Sequence, residues 1–187
     1  FRRVLFRSAM LSRFFHNWER RLASVTKDRV VRPFEWGLDW IPSNGSTGQS
    51  PQQQLHHWID DVMRDTPAFF DAPPTTDYAF DAARGELRFP SAFTTPHPEN
   101  NTVFARYFPS EDRRRAVVVL PQWNSDAGGH IGLSQLLARF GVSALRLSLP
   151  YHDVRMPPEL TRAVYIVSAN VARTVQVCRQ AVLDSRR

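Results

Sequence analysis

The sequence predicts an α/β fold, and two observations carry that prediction. Two short strand-like segments, residues 86–90 and 102–108, lie close together along the chain, which favours an antiparallel pair of strands. After residue 115, strand-like and helix-like segments alternate, which is typical of parallel strands joined by helices. We therefore expect a sheet that opens with antiparallel strands and continues with parallel β-α-β-α units, preceded by a helical, aromatic-rich N-terminal segment.

The N-terminal segment is predicted to contain two helices. Apolar residues recur at helical spacing between Leu11 and Leu22, which indicates an amphipathic helix over residues 10–25. An aromatic-rich stretch over 33–42 follows, as a short strand or an extended segment. Ser50 and Gln53 then have the spacing of a capping box at the start of a second helix. The buried stripe of that helix should consist of Leu55, Trp58, Ile59 and Val62.

The tryptophans of this segment allow two interpretations. They could line an acyl-binding surface, or they could pack into a core, which is the commoner fate of large aromatic side chains and the one we expect. The residues concerned are Trp18, Trp36, Trp40 and Trp58.

The first eight residues match a translated sequencing adapter. Residues 1–8, FRRVLFRS, are what TTC AGA CGT GTG CTC TTC CGA TCT encodes, and that DNA is a widely used adapter. We expect them to be an artefact without a native role; the alternative is a basic amphipathic N-terminus. On this interpretation residues 9–80 form a helical N-terminal extension, and residues 81–187 form the N-terminal half of the main fold.

The main fold is predicted from four successive elements. The strand over 116–120 is apolar at every position, as expected when helices cover both faces of a sheet. A helix over 130–140 follows, with Gly141 at its C-terminal cap. A second strand over 142–149 should run parallel to the first through a right-handed crossover, and a long helix over 158–185 should follow. The first helix should bury Ile131, Leu133, Leu136, Leu137 and Phe140. The last should bury Leu160, Ala163, Val164, Val167, Val171, Val175, Cys178 and Val182.

Composition excludes several classes of function. The net charge of +6 includes Arg2, Arg3 and Arg7, and without them it is +3, so we expect no nucleic-acid partner. A single cysteine, Cys178, excludes an internal disulfide and a multi-cysteine metal site. No apolar run reaches the length of a membrane span, so we expect no integral membrane segment and a cytoplasmic location.

Two loops carry a resemblance to a known superfamily. The segment 120–130, LPQWNSDAGGH, follows the first parallel strand, and 148–155, SLPYHDVR, follows the second. Together with the order of strands they resemble the α/β-hydrolase superfamily, the second loop an uncharacterised bacterial branch of it. The resemblance covers the C-terminal half of the chain. It implies an α/β-hydrolase-type sheet and a serine hydrolase that acts on a carboxylic ester, amide or thioester, without a cofactor.

The resemblance also implies which catalytic parts lie in this chain. The loop 120–130 would hold oxyanion-hole donors, for which the backbone N–H groups of Gln122 and Trp123 are the candidates; the His-Gly-Gly-Gly signature of some relatives is absent. No G-x-S-x-G motif occurs. In this superfamily the nucleophile, acid and histidine follow in that order, and all three would lie beyond Arg187. We therefore assign no catalytic side chain here and expect this chain alone to be inactive.

Two alternatives remain open. The same fold could serve as a non-catalytic binding scaffold, because fold does not dictate function. A Gly128-Gly129-His130 sequence at a predicted helix start also resembles nucleotide-sugar glycosyltransferases, since helix N-termini bind anions. A dinucleotide site is disfavoured because no G-x-G-x-x-G follows either strand.

The remaining polar candidates have plain structural interpretations. Asn124, Ser125 and Asp126 could orient the first loop, or cap the following helix, which we expect of Asp126. Adjacent His152 and Asp153 should point apart, so an acid–base pair is not expected, and His152 should make a surface hydrogen bond. The His56-His57 pair cannot place both rings on one metal, and we predict no metal site.

Overall fold

The computed structural model describes residues 2–25, 31–43, 48–112 and 114–187, and the chain divides into two compact units. The first unit, Phe1–Pro33, contains helix α1, Arg2–Val25. The helix predicted over residues 10–25 is therefore confirmed. The second unit, Phe34–Arg187, contains the sheet and the other helices. None of the helices in the described ranges has the length and apolar character needed to span a membrane.

A mixed five-stranded sheet organises the second unit. Its strands are β1 (Ala79–Asp81), β2 (Glu86–Pro90), β3 (Thr102–Phe108), β4 (Ala116–Val119) and β5 (Ser143–Leu147), in the order β1-β2-β3-β5-β4. Strands β1, β2, β3 and β5 pair antiparallel in turn, and β5 pairs parallel with β4. The predicted antiparallel opening pair and the predicted parallel pair are both confirmed, and the chain has a mixed α/β fold.

The best-buried part of the sheet lies along β2, β3 and β5. Side chains on one face of these strands form a core of Phe89, Val103, Ala105 and Leu147, with Leu87 and Leu145 packed against it. Burial of a large apolar side chain contributes about 1.5–3 kcal/mol. This face therefore holds the three strands together and fixes the position of β5.

A second core joins the helical part of the unit to the loops that follow the sheet. The capping box is confirmed: Ser50 Oγ accepts from the Gln53 N–H, and the Gln53 side chain accepts from the Ser50 N–H at the start of α2, Pro51–Arg64. A short helix α3, Thr66–Phe69, and a 3₁₀ turn, Leu38–Trp40, lie nearby. The buried residues of this core are Trp40, Leu55, Trp58, Tyr151, Ala163, Ile166, Ala172 and Val177.

The predicted burial of the tryptophans is correct in part. Trp40 and Trp58 are buried, and Trp36 packs against the same core. Trp18, on α1, is exposed, and so is Ile59 of the predicted α2 stripe.

Helix α4, Ile131–Arg139, has the predicted position but not the predicted buried face. Ser134 is its buried residue, whereas Leu133, Leu136 and Phe140 are exposed. Gly141 caps the helix with φ of 79°, a left-handed conformation that glycine adopts without steric cost. The cap is confirmed, and the prediction that the whole apolar face is buried is wrong.

Strand β4 lies at the edge of the sheet, and this corrects a second prediction. Its apolar sequence predicted coverage on both faces, yet Val117 and Val118 are exposed and Val119 is the buried member. In the described structure its hydrogen-bonded neighbour is β5, on one side. An apolar sequence therefore does not ensure burial here, because little packs against the side chains of Val117 and Val118.

The last helix, α5, spans Val171–Arg186, so the predicted start at residue 158 is wrong. The extended segment at Glu35 makes a parallel bridge with Asn170. The Glu35 carbonyl accepts a hydrogen bond from the Val171 N–H at 3.1 Å. That N–H would be a donor inside a longer helix. Asn170 becomes the N-cap, and its side chain accepts from the Arg173 N–H.

The buried face of α5 also differs from the prediction. Val175, Cys178 and Val182 are exposed. The buried residues of the helix are Ala172, Gln176, Val177, Gln180, Leu183 and Asp184. Three of these are polar, and hydrogen bonds rather than apolar contacts select that face: Gln180 bonds Ser91 and Asn100, and Gln176 donates to the Trp40 carbonyl.

Candidate active-site loops

Two loops meet at the carboxyl ends of the parallel strands, which is where open α/β sheets bind ligands. We name residues 120–130, after β4, the first loop, and residues 148–156, after β5, the second loop. The described non-glycine residues with positive φ all lie in them: Asn124 (60°), His130 (66°), Tyr151 (61°) and Asp153 (39°). Such conformations cost about 1–3 kcal/mol each and cluster at functional sites. The backbone therefore marks these two loops as the candidate site.

Arg146, at the end of β5, ties the two loops together. Its Nε donates to the Gly129 carbonyl at 3.1 Å and its Nη2 to the Asp126 carbonyl at 2.7 Å, both in the first loop. Its Nη1 donates to Ser148 Oγ at 3.1 Å and to Asp153 Oδ2 at 2.8 Å, both in the second loop. All three guanidinium nitrogens are thus used within the protein. Arg146 fixes the shape of the site rather than binding a substrate.

The ion pair of Arg146 with Asp153 is almost fully desolvated. Both side chains are only 2% exposed. Removing one partner from such a pair leaves an uncompensated buried charge. Asp153 also accepts from Ser148 Oγ at 3.2 Å. Its carboxylate is therefore bound to Arg146 and Ser148, whereas the His152 ring bonds other groups.

His152 joins the two loops by a second route. The Asn124 N–H donates to His152 Nε2 at 3.0 Å, and His152 Nδ1 lies 2.8 Å from the Pro150 carbonyl. Because an amide N–H only donates and a carbonyl only accepts, Nδ1 carries the proton and the ring is neutral. Burial lowers the pKa of His152 below its ordinary range, which favours this neutral form. The expected surface hydrogen bond is therefore wrong: the ring is fully buried and both nitrogens are occupied.

The candidate oxyanion donors lie at the start of the first loop. The Gln122 carbonyl accepts from the Ser125 N–H at 3.1 Å, which closes a turn. The Trp123 indole donates to the Ala163 carbonyl at 3.0 Å, and Asn124 Oδ1 accepts from the Ala163 N–H at 3.0 Å. In the described part of the chain, the backbone N–H groups of Gln122 and Trp123 have no hydrogen-bond partner. The turn is anchored while its two N–H groups stay free to donate.

The glycine pair of the first loop binds its own carboxylate. Asp126 Oδ1 accepts from the Gly128 N–H at 3.0 Å and from the Gly129 N–H at 2.9 Å. A Cβ on Gly129 would lie 1.7 Å from Ser125 Oγ, so a side chain there would force the Ser125 hydroxyl to move. Asp126 therefore closes the loop on itself, and the prediction that it caps the following helix is wrong: the N-cap of α4 is His130, which makes no side-chain capping bond. A phosphate at these N–H groups would have to displace it.

A cavity of about 230 Å³ opens beside the two loops. Ala127 of the first loop and Ser148 and Val154 of the second line one side, and strands β2 and β3 line the other. Phe104 and Arg106 come from β3. The cavity is small and lies against Arg146 and Asp153, so it offers room next to the rigid part of the site.

A second buried ion pair, which the sequence did not indicate, anchors the second loop to helix α5. Arg155 Nη2 donates to Asp184 Oδ2 of α5 at 2.8 Å and to the Asn100 carbonyl at 2.7 Å. Asp184 Oδ1 accepts from Ser91 Oγ at 2.7 Å. Burial lowers the pKa of Arg155, and the Asp184 carboxylate opposes that shift. The α5 helix is therefore connected directly to the candidate site.

Tyr151 is the other site residue that sequence reasoning missed. Its hydroxyl lies 2.9 Å from His97 Nδ1, and His97 Nε2 lies 3.4 Å from Glu159 Oε1. The Tyr151 N–H donates to Asn100 Oδ1, and burial raises the pKa of the phenol. A tyrosine at positive φ is unusual, and because tertiary packing imposes this conformation, no local sequence pattern indicates it.

No protein-family model matches the chain, and no curated protein matches it. Within the described ranges, histidine, cysteine, aspartate and glutamate side chains do not gather in groups of three or more that could hold a metal ion.

Proposed function

We propose that this chain is the N-terminal half of a serine hydrolase of the α/β-hydrolase superfamily, acting on a carboxylic ester, amide or thioester. In this proposal the chain supplies the oxyanion donors and not the nucleophile. The observation that carries it is the anchored first loop with the free N–H groups of Gln122 and Trp123. Donors of this kind are aimed at an oxyanion before the reaction begins and need no reorganisation.

The order of strands supports the proposal. An antiparallel opening is followed by a parallel β4–β5 pair whose carboxyl ends carry the two loops. The exposed, apolar edge of β4 is also what the superfamily resemblance implies, because a further parallel strand would lie next to it. A G-x-S-x-G motif would follow that strand, and its serine would attack the substrate carbonyl.

The first loop has the rigidity that this role requires. Arg146 binds two of its carbonyls and His152 accepts from one of its N–H groups. An oxyanion donor that is fixed contributes on the order of 2.7–4 kcal/mol to the transition state. A small cavity also lies beside Ala127 of this loop.

The alternative functions fit less well. A nucleotide-sugar glycosyltransferase would use the Gly128 and Gly129 N–H groups for phosphate, and Asp126 occupies both. A non-catalytic binding scaffold would need no strained, doubly anchored loop, although it would share the same sheet.

The test uses the uninterrupted product of the gene that encodes this chain. We expect it to hydrolyse a short-chain activated ester and to be labelled stoichiometrically by a serine-directed fluorophosphonate, while residues 1–187 alone do neither. Absence of labelling in the longer product would support the scaffold alternative. Labelling of this chain at Ser134 or Ser148 would contradict the proposal.

A further inference from the structure

The positive charge of the chain is concentrated in its first unit. Residues 34–187 contain 15 basic and 16 acidic residues, a net charge of −1. Residues 9–33, which exclude the suspected adapter, contain six basic and two acidic residues, a net charge of +4. Such asymmetry between two parts of a chain points to an anionic partner for the basic part.

Helix α1 carries part of this charge, Arg13, Arg20 and Arg21 against Glu19, together with an exposed apolar ridge. The ridge consists of Leu11, Phe14, Phe15, Trp18 and Leu22, whose spacing places them on one face of the helix. Each of these side chains is between 49% and 65% exposed. Helices in water depend on packing of their apolar face for most of their stability, so a ridge of this size indicates a binding surface.

The basic residues of α1 that follow residue 8 lie outside the ridge. With 3.6 residues per turn, Arg13 and Arg20 fall on the side opposite the ridge and Arg21 falls beside it. A helix with arginines on its polar face and leucine, phenylalanine and tryptophan on the other is typical of helices that lie in the plane of a membrane surface. The long arginine side chains can bend toward the headgroups while the ridge enters the acyl boundary.

We propose that α1 is an interfacial helix that binds an anionic lipid surface. The charge favours lipid over a second copy of the chain, because two such helices would bring like charges together. It also favours lipid over single-stranded nucleic acid, whose binding surfaces combine stacking rings with basic groups in one groove. Here the aromatic rings share a face with leucines, whose side chains cannot stack on a base.

The test is sedimentation of the full chain with vesicles. We expect binding to 3:1 phosphatidylcholine–phosphatidylglycerol vesicles that weakens as salt is raised, because added ions screen the headgroup charge. Phosphatidylcholine vesicles should bind clearly less. Arg20→Gln and Arg21→Gln should each reduce the partition coefficient roughly fivefold.

Matched variants separate the ridge from general apolar exposure. Phe14→Ser with Trp18→Ser should reduce binding by roughly a hundredfold or more, while Phe14→Leu with Trp18→Leu should retain it. Val31→Ser is the control, since Val31 is 95% exposed and lies outside the helix; it should have little effect. Far-ultraviolet circular dichroism checks that each variant keeps its helix.

Several results would overturn the proposal. Equal binding to neutral and anionic vesicles would do so, as would binding that the serine variant leaves unchanged. Self-association or oligonucleotide binding that needs the ridge, without vesicle binding, would assign the surface to another partner.

Discussion

The two parallel strands of the sheet form an instructive comparison. Strand β4 has an entirely apolar sequence, AVVV, and its Val118 is 49% exposed. Strand β5 contains an arginine, and that arginine is only 2% exposed. The difference comes from neighbours: β5 lies between β3 and β4, whereas the described structure gives β4 one neighbour. Burial depends on what lies beside a residue as much as on its hydrophobicity.

The largest effect is expected on the β5 side, from Arg146→Met. The substitution keeps much of the side-chain volume but leaves Asp153 as an uncompensated buried charge and frees both loops. Breaking a buried pair in this way costs about 3–5 kcal/mol. Urea unfolding measures the loss.

Arg114→Met is the matched control for that variant. Arg114 pairs with Asp112 at the surface, where an ion pair contributes little, so its unfolding midpoint should not change measurably. Equal losses in the two variants would show that burial of the Arg146 pair has no energetic consequence.

Leucine-to-alanine substitutions compare a buried position of β5 with an exposed position of α4 directly. Leu147→Ala in β5 removes a side chain from the core and should cost about 2–5 kcal/mol. Leu133→Ala in α4 removes an exposed one, and surface changes usually stay within about 0.5 kcal/mol. An equal loss of stability in Leu133→Ala and Leu147→Ala would show that the exposed face of α4 packs against a partner.

The smallest expected effect is the contribution of His152 to the pH dependence of the free energy of unfolding. Its folded-state pKa is lowered by burial, so the unfolded chain binds the proton more readily. The free energy of unfolding should therefore fall as pH drops below about 6.5, the ordinary histidine value, and His152 should contribute fully above it. Replacement by glutamine removes this contribution to the pH dependence.

Urea unfolding of both proteins at pH 5 and pH 7.5 provides the measurement. The fall in stability on acidification should be larger in the original chain than in His152→Gln. An identical fall would show that the ring does not titrate differently in the folded state.

Local sequence signals predicted much of the fold. The bounds of β2 and β3, the Ser50–Gln53 capping box and the glycine cap at Gly141 follow from spacing and from residue type. Each depends on a few neighbouring residues, and that is the information a single sequence holds best. The two loops were also placed correctly at the ends of parallel strands.

The errors arose where distant residues compete with local preferences. The bridge of Glu35 with Asn170 makes α5 begin at Val171, although the sequence before Asn170 could continue the helix toward its N-terminus. Gln180 and Asp184 face the interior because Asn100, Ser91 and Arg155 offer them partners. The hydrogen bonds by which Arg146 connects the two loops were not predicted, for the same reason. An arginine in an apolar strand gives no indication of which carbonyls it will bind.

One pair of variants tests the central claim, that the first loop supplies oxyanion donors from its backbone. In the uninterrupted gene product, Gln122→Pro removes an N–H group, whereas Gln122→Ala removes only the side chain. We predict that proline lowers kcat for an activated ester by roughly 10²–10³ with an unchanged Tm, and that alanine leaves kcat nearly intact. Equal kcat values in the two variants would contradict the claim.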